Sequence, residues 1–294
     1  MKTTKVHIAL VLAVLAAVVA VVSLSARRGH GQASRSKNTS RIKPAVPERA
    51  ASTKATNSTG FTAAATQNVQ LRNDLSWTFG GKQQRGWYLY DLLIGNTLDT
   101  KDGATTSDFA EAVAKWQKRS GLSADGVLDQ DAFMRLVSQW QSNRLKTRTP
   151  ADPGQLVTGS PAHFYDPGRA AEMRQVERNT YEAYQKMIAA AHDDLKLGPG
   201  DKYLKIISSY RSRAYQDQLR QKSPNSGTAG LAVNSPHFTG RALDLYVGGD
   251  PVDTKDSNRA IQVNTPAYRW LVRNADRFGF RPYFYEPWHW EYVK

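Results

Sequence analysis

At 294 residues the chain has room for two modest domains and a tail. It has no cysteine, which excludes a disulfide framework, a thiolate nucleophile and any thiolate metal site, so a metal would have to be held by His, Asp or Glu. The net charge of +14 suggests nucleic acid, but residues 1–75 hold eleven Lys or Arg against two acids, Glu48 and Asp74, so most of the excess sits in the N-terminal quarter. A folded nucleic-acid-binding domain clusters its charge on one face or helix. None is visible, so nucleic acid is not an expected partner; a cationic tail instead suits anionic lipid headgroups or anionic polymers.

Val6 to Leu24 is apolar except for His7 and Ser23, with Lys2 and Lys5 before it and Arg27-Arg28 after. Nineteen residues at helical rise span roughly 28 Å, about one hydrocarbon core. That length favours an uncleaved membrane anchor within residues 1–25. Ser23-Leu24-Ser25 leaves a cleaved signal as the alternative. Residues 26–80 follow as a tether: Ser, Thr, Ala, Lys and Arg without hydrophobic period offer too little apolar surface to offset the entropy of ordering.

Residues 81–146 read as a helical module. Phe109, Ala112, Val113 and Trp116 recur at the spacing of one helix face, Asp102-Gly103 and Asp125-Gly126 are turn signals, and Phe133, Leu136 and Val137 follow. Spacing alone supports a three-helix domain of undefined role. The run from Asp108 to Val137 also resembles the peptidoglycan-binding module of cell-wall hydrolases. Two positions depart from that pattern: Trp116 stands where phenylalanine is usual, and Asp129 where glycine is usual.

Residues 147–168 form a Pro/Gly-containing connector, and residues 169–294 a second domain. Arg169–Leu197 has helical spacing and stops at Gly198-Pro199-Gly200. Short strand-like runs cover Tyr203–Ser209, Ala242–Val247 and Trp288–Val293, with helices near Arg213–Arg220 and Pro266–Phe278 between them. Helices mixed with short strands, without βαβ alternation, predict an α+β fold: a small antiparallel sheet with flanking helices, preceded by the three-helix module.

Chemistry concentrates in two segments of this domain, Ser235–Asp244 and Glu286–Trp290. A zinc peptidase requires three N/O ligands, an open position for water and a separate carboxylate to move protons. His237, Asp244 and His289 can supply the ligands and Glu286 the base, although a lone His or a lone strand Asp is more often structural. Alternation turns Asp244 away from the apolar stripe of Leu243 and Leu245. His163 and His192 read as structural. Of the aromatic cluster near the C-terminus, Trp288 is the expected pocket residue and the rest core.

The segments SPHFTGRALD and EPWHWEY, with SSYRS at Ser208–Ser212 preceding them, together resemble the zinc D-alanyl-D-alanine carboxypeptidase and dipeptidase family, which includes the vancomycin-resistance carboxypeptidases. The resemblance implies zinc on His237, Asp244 and His289, Glu286 as base and proton donor, and Arg211 on the scissile carbonyl oxygen. It also implies Ser235 on the substrate's terminal carboxylate and Gln216 as a further substrate contact. Many members have Arg two residues after the final histidine; here Glu291 stands there, on the same strand face as His289, where it can serve as that residue's partner. The expected protein is an extracytoplasmic, envelope-anchored zinc peptidase acting on peptidoglycan stem peptides at D-Ala-D-Ala. A cross-link-cleaving endopeptidase and a non-catalytic wall-binding protein with structural zinc are the rival readings. Oligomeric state is not legible in the sequence.

Overall fold

The protein is represented by a computed structural model that describes residues 57–222 and 234–294. The anchor expected over residues 6–24 and the tether as far as residue 56 lie outside the described residues. No described helix is long and apolar enough to cross a membrane.

The first described element corrects the tether expectation. Residues 57–74 form helix α1 (Asn57–Asp74), and residues 76–85 a hairpin of β1 (Ser76–Phe79) and β2 (Lys82–Arg85). The turn between these strands is Gly80-Gly81, both at positive φ, as a two-residue hairpin loop needs. Helix α1 shows no hydrophobic period because its buried face is made of Ala64, Ala65 and a polar residue, Asn68. Small side chains let α1 lie close to Ala110. The Asn68 amide donates to the Gly126 carbonyl at 2.9 Å and accepts from the Leu128 N–H at 2.7 Å. A buried amide satisfied on both sides fixes a helix without a large apolar stripe.

The expected helices follow as α2 (Asp91–Leu98), α3 (Ser107–Arg119) and α4 (Gln130–Ser142). Thr106 caps α3 by accepting from the Phe109 N–H, and Asp129 caps α4 by accepting from the Ala132 N–H. That cap gives Asp129 a local reason to replace glycine. Trp116 is buried with Phe109 and Val113, as the spacing predicts.

Beyond the module, β3 (Leu156–Thr158) pairs with β4 (Gln175–Glu177). Helix α5 (Arg178–Leu195) begins later than the Arg169 expected, because the Glu177 carboxylate accepts from the Asn179 and Thr180 N–H groups and caps the helix there. Then come β5 (Ile206–Ser208), α6 (Arg213–Lys222), β6 (Ala242–Leu245), α7 (Asp256–Val263), α8 (Pro266–Asn274), β7 (Phe280–Pro282) and β8 (His289–Tyr292). The sequence pattern does not mark β3, β4, α7 or β7. The antiparallel sheet runs β5-β6-β8-β7, with α5 and α8 packed together beside it. The architecture is α+β with a preceding helical module, as predicted.

The two halves are not separated by their connector. Residues 57–294 form one compact unit around a hydrophobic core that runs from Leu75 to Trp290. Phe284 lies 4.8 Å from the Phe79 ring, 5.4 Å from Tyr90, 5.9 Å from Trp140 and 6.4 Å from Trp77. The buried Arg259 of α7 donates to the Tyr90 hydroxyl at 3.0 Å. The aromatic residues that look like a module's private core are therefore shared with the C-terminal half.

Candidate metal centre and active site

Strand register brings the candidate residues together. Asp244 sits opposite His289 on β8 and opposite Ser208 on β5, so three adjacent strands present Ser208, Asp244 and His289 in one row. Leu243 and Trp290, also paired, turn to the other face and into the core. His237 arrives from a single turn of 3-10 helix, Pro236–Thr239. Ser235 caps that turn, its hydroxyl accepting from the His237 N–H at 3.3 Å. Gly240 closes it at φ 66°, where an added Cβ would lie 2.9 Å from the Glu177 nitrogen. Only glycine fits both that backbone region and that close approach.

His237, Asp244 and His289 are all buried, and each offers a ligand atom within 4.8 Å of the others. Asp244 Oδ1 lies 3.3 Å from His237 Nε2 and 2.9 Å from His289 Nδ1. His237 Nδ1 is 2.7 Å from the Ser209 carbonyl oxygen, which can only accept. The proton of neutral His237 is thereby held on Nδ1, and the Nε2 lone pair faces a carboxylate oxygen. His289 Nε2 lies 3.2 Å from Glu291 Oε1; the neutral tautomer with its proton on that nitrogen turns the Nδ1 lone pair to the same Asp244 oxygen. With both imidazoles neutral in these tautomers, two lone pairs and a carboxylate converge in a buried space that a cation would suit, in place of the proton His289 otherwise carries. The donor set, two imidazoles and one carboxylate, is one that zinc accepts in catalytic sites.

The protonation equilibria reflect the crowding. Burial, with the Arg211 charge adding to it, lowers His237 to about 4. Burial would also lower His289, but its hydrogen bonds to Asp244 and Glu291 outweigh that and push it up to about 9. Burial opposes ionisation of Asp244, yet His237, His289 and Arg211 hold it well below the usual carboxylate range. Burial raises Glu286 to about 7. Its Oε1 is buried without a hydrogen-bond partner among the described residues, and Glu286 is tied to the site by the His289 N–H, which donates to the Glu286 carbonyl at 2.9 Å. A carboxyl group poised near neutrality beside a ligand set is suited to carry a proton both ways.

Arg211 donates from Nη2 to Asp244 Oδ2 at 2.7 Å and from Nε to Ser208 Oγ at 2.8 Å. Its side chain is 13% exposed, and its Nη1 makes no hydrogen bond among the described residues. Ser235 and Gln216 are both buried, Gln216 on α6. Trp288, expected to wall the pocket, is 3% exposed and belongs to the shared core. His163 is remote from this cluster in its bonding, with Nδ1 2.7 Å from the Tyr181 hydroxyl.

Glu291 is the partner of His289 that the strand face suggests. It is fully buried, and its charge is met by Arg144. No sequence motif marks Arg144, which lies 147 positions away and belongs to a different predicted domain.

Residues 173–294 match the D-alanyl-D-alanine carboxypeptidase family. Arg211, His237, Asp244, Glu286 and His289 all fall within that carboxypeptidase-family region. Residues 86–136 match a peptidoglycan binding domain. Among solved structures, that of the LdcB LD-carboxypeptidase, reported to reveal the molecular basis of peptidoglycan recognition, is similar over 48% of this chain and 69% of that one, with 23% identity and a TM-score of 0.36. No curated protein matches the chain. The carboxypeptidase-family region and the peptidoglycan-binding region together make this a peptidase directed at peptidoglycan.

Proposed function

We propose that the protein is a zinc D,D-carboxypeptidase that removes the terminal D-alanine from peptidoglycan stem peptides ending in D-Ala-D-Ala. The observation that carries this reading is the convergence of His237 Nε2, His289 Nδ1 and Asp244 Oδ1, with the buried Glu286, whose Oε1 has no hydrogen-bond partner among the described residues, three positions before His289. His237, Asp244 and His289 would hold zinc, which when bound would supply Lewis acidity for activating water near neutral pH. Glu286 accepts the proton of the attacking water and returns it to the leaving amine. Its elevated proton affinity matches that double duty. Arg211 Nη1 meets the scissile carbonyl oxygen as that oxygen gains charge, its guanidinium already fixed by Asp244 and Ser208, so little reorganisation accompanies the reaction. The Ser235 hydroxyl accepts from the His237 N–H and keeps its own proton to donate to the substrate's terminal carboxylate. Gln216, buried on α6, completes the proposed substrate contacts. The wall substrate places the enzyme outside the cytoplasm, and an anchor over residues 6–24, read from the sequence, would hold it at the membrane.

Glu286→Gln separates catalysis from metal binding. The variant is expected to retain zinc, because Glu286 is not in the ligand set, and to lose turnover by about 10²- to 10⁴-fold, the usual contribution of a general acid–base group. A variant with undiminished turnover would remove Glu286 from the mechanism.

A further inference from the structure

The active-site cluster is not built by the carboxypeptidase-family region alone. Glu291 on β8 is fully buried, and three of the contacts to its carboxylate come from the end of the helical module. Arg144, two residues beyond α4, donates to Oε1 from Nη2 at 2.5 Å and from Nε at 3.2 Å. The Leu145 N–H donates to Oε2 at 2.9 Å. The fourth contact is His289 Nε2, on Oε1 at 3.2 Å. Arg148 Nη1 is also near, 3.7 Å from Oε1. Arg144 is itself fixed from two further sides: its guanidinium lies 3.9 Å over the Tyr283 ring, and Nη1 donates to Gln141 Oε1 at 3.0 Å. Tyr283 in turn stands edge-on to the His289 ring, with centroids 5.9 Å apart.

We infer that Arg144 is a positioning residue for the metal site: by clamping Glu291 it holds the His289 ring, with the proton of its neutral form on Nε2, so that Nδ1 turns toward Asp244. The helical module thus completes the catalytic centre as well as matching a peptidoglycan-binding domain. The inference rests on the zinc-peptidase reading and adds to it a dependence on a residue outside the carboxypeptidase-family match. The carboxylate alone cannot do this work. A buried Glu291 deprived of Arg144 becomes an underpaired charge that must shift to find other donors, and a histidine ligand whose outer partner shifts binds metal more weakly, by about 10- to 100-fold where such partners have been removed.

The test is zinc affinity of the full chain, measured by competition with a chromophoric chelator for the unaltered protein, Arg144→Ala, Arg144→Lys and Trp140→Phe, with circular dichroism confirming the fold. Arg144→Ala is expected to bind zinc at least 10-fold more weakly. Arg144→Lys, which keeps the charge and loses the fork, should fall between it and the unaltered chain, and it carries the test if the alanine variant does not fold. Trp140→Phe perturbs the same helix and interface without touching Glu291, so it should lower the melting temperature and leave zinc affinity unchanged. Affinities for both Arg144 variants within twofold of the unaltered chain would overturn the inference. An unaltered chain that binds no zinc would instead overturn the functional reading beneath it.

Discussion

Truncating Phe284 to alanine tests whether the helical module and the carboxypeptidase-family region are one cooperative body. Phe284 is 2% exposed and precedes the Glu286–His289 segment, yet four of its ring neighbours, Trp77, Phe79, Tyr90 and Trp140, come from the first half of the described chain. A buried Phe→Ala change costs about 3–5 kcal/mol in transfer and cavity terms. The tilted and edge-on pairs place this site toward the upper end, since aromatic pairs add about 0.5–1.5 kcal/mol beyond area. For a protein of this size each kcal/mol moves the melting temperature by about 2–4 °C, so a loss of about 5 kcal/mol predicts a fall of roughly 10–20 °C. The assay is differential scanning calorimetry of the metal-free protein. The shared core predicts a single transition before and after the substitution, shifted as a whole, with unfolding of the α1–α4 half and the sheet coincident. Two transitions, only one of which moves, would refute the continuous core and return the halves to the separate domains that the sequence suggests.

Other outcomes follow from the site's geometry. His289, raised to about 9, favours the folded metal-free state fully below its unfolded value near 6.5, and that stability is lost as pH rises through 9. Chelated protein should therefore lose about 3 kcal/mol between pH 6.5 and 9 in urea titrations; at lower pH the raised Glu286 and the lowered His237 act in opposite directions and largely offset. A chelated protein equally stable at both pH values would contradict the His289 environment. Gly240→Ala forces a Cβ to within 2.9 Å of the Glu177 nitrogen at φ 66°. It should cost at least about 1–2 kcal/mol from the left-handed backbone alone, with zinc affinity reduced because the turn carrying His237 must move; an unchanged melt would show that the close approach is relaxed. Arg211→Lys keeps the charge and loses the fork to Asp244 and Ser208, so kcat should fall by about 10²- to 10³-fold with zinc retained. A change confined to KM would give Arg211 a binding role alone.

The proposed ligand set was legible mainly because SPHFTGRALD and EPWHWEY resemble a known family's motifs; strand alternation adds that Asp244 lies off the apolar stripe, and spacing alone left these residues as ordinary structural ones. Glu291 was legible from alternation, being two residues from His289 on one strand face. Arg144 was not, since nothing in α4 marks its last turn as facing β8, and the contact exists only once Phe284, Trp140 and Tyr90 have closed the core between them. Helix α1 escaped because its fully buried residues, Ala64, Ala65 and Asn68, are small or polar, with only Phe61 and Leu71 adding partly buried apolar contacts, and because the Asn68 amide reaches a distant turn at Gly126. Trp288 misled in the other direction. Its place between the base and the last ligand suggests a pocket wall, but alternation and packing turn it into the core.

The most direct test of the central claim is incubation of the zinc-loaded protein with a purified pentapeptide stem ending in D-Ala-D-Ala, read by mass spectrometry beside Glu286→Gln and a cross-linked muropeptide. The account predicts loss of a single alanine from the pentapeptide by the unaltered protein and none by the variant. Cleavage of the cross-linked species alone, or an intact pentapeptide with zinc bound, would contradict it.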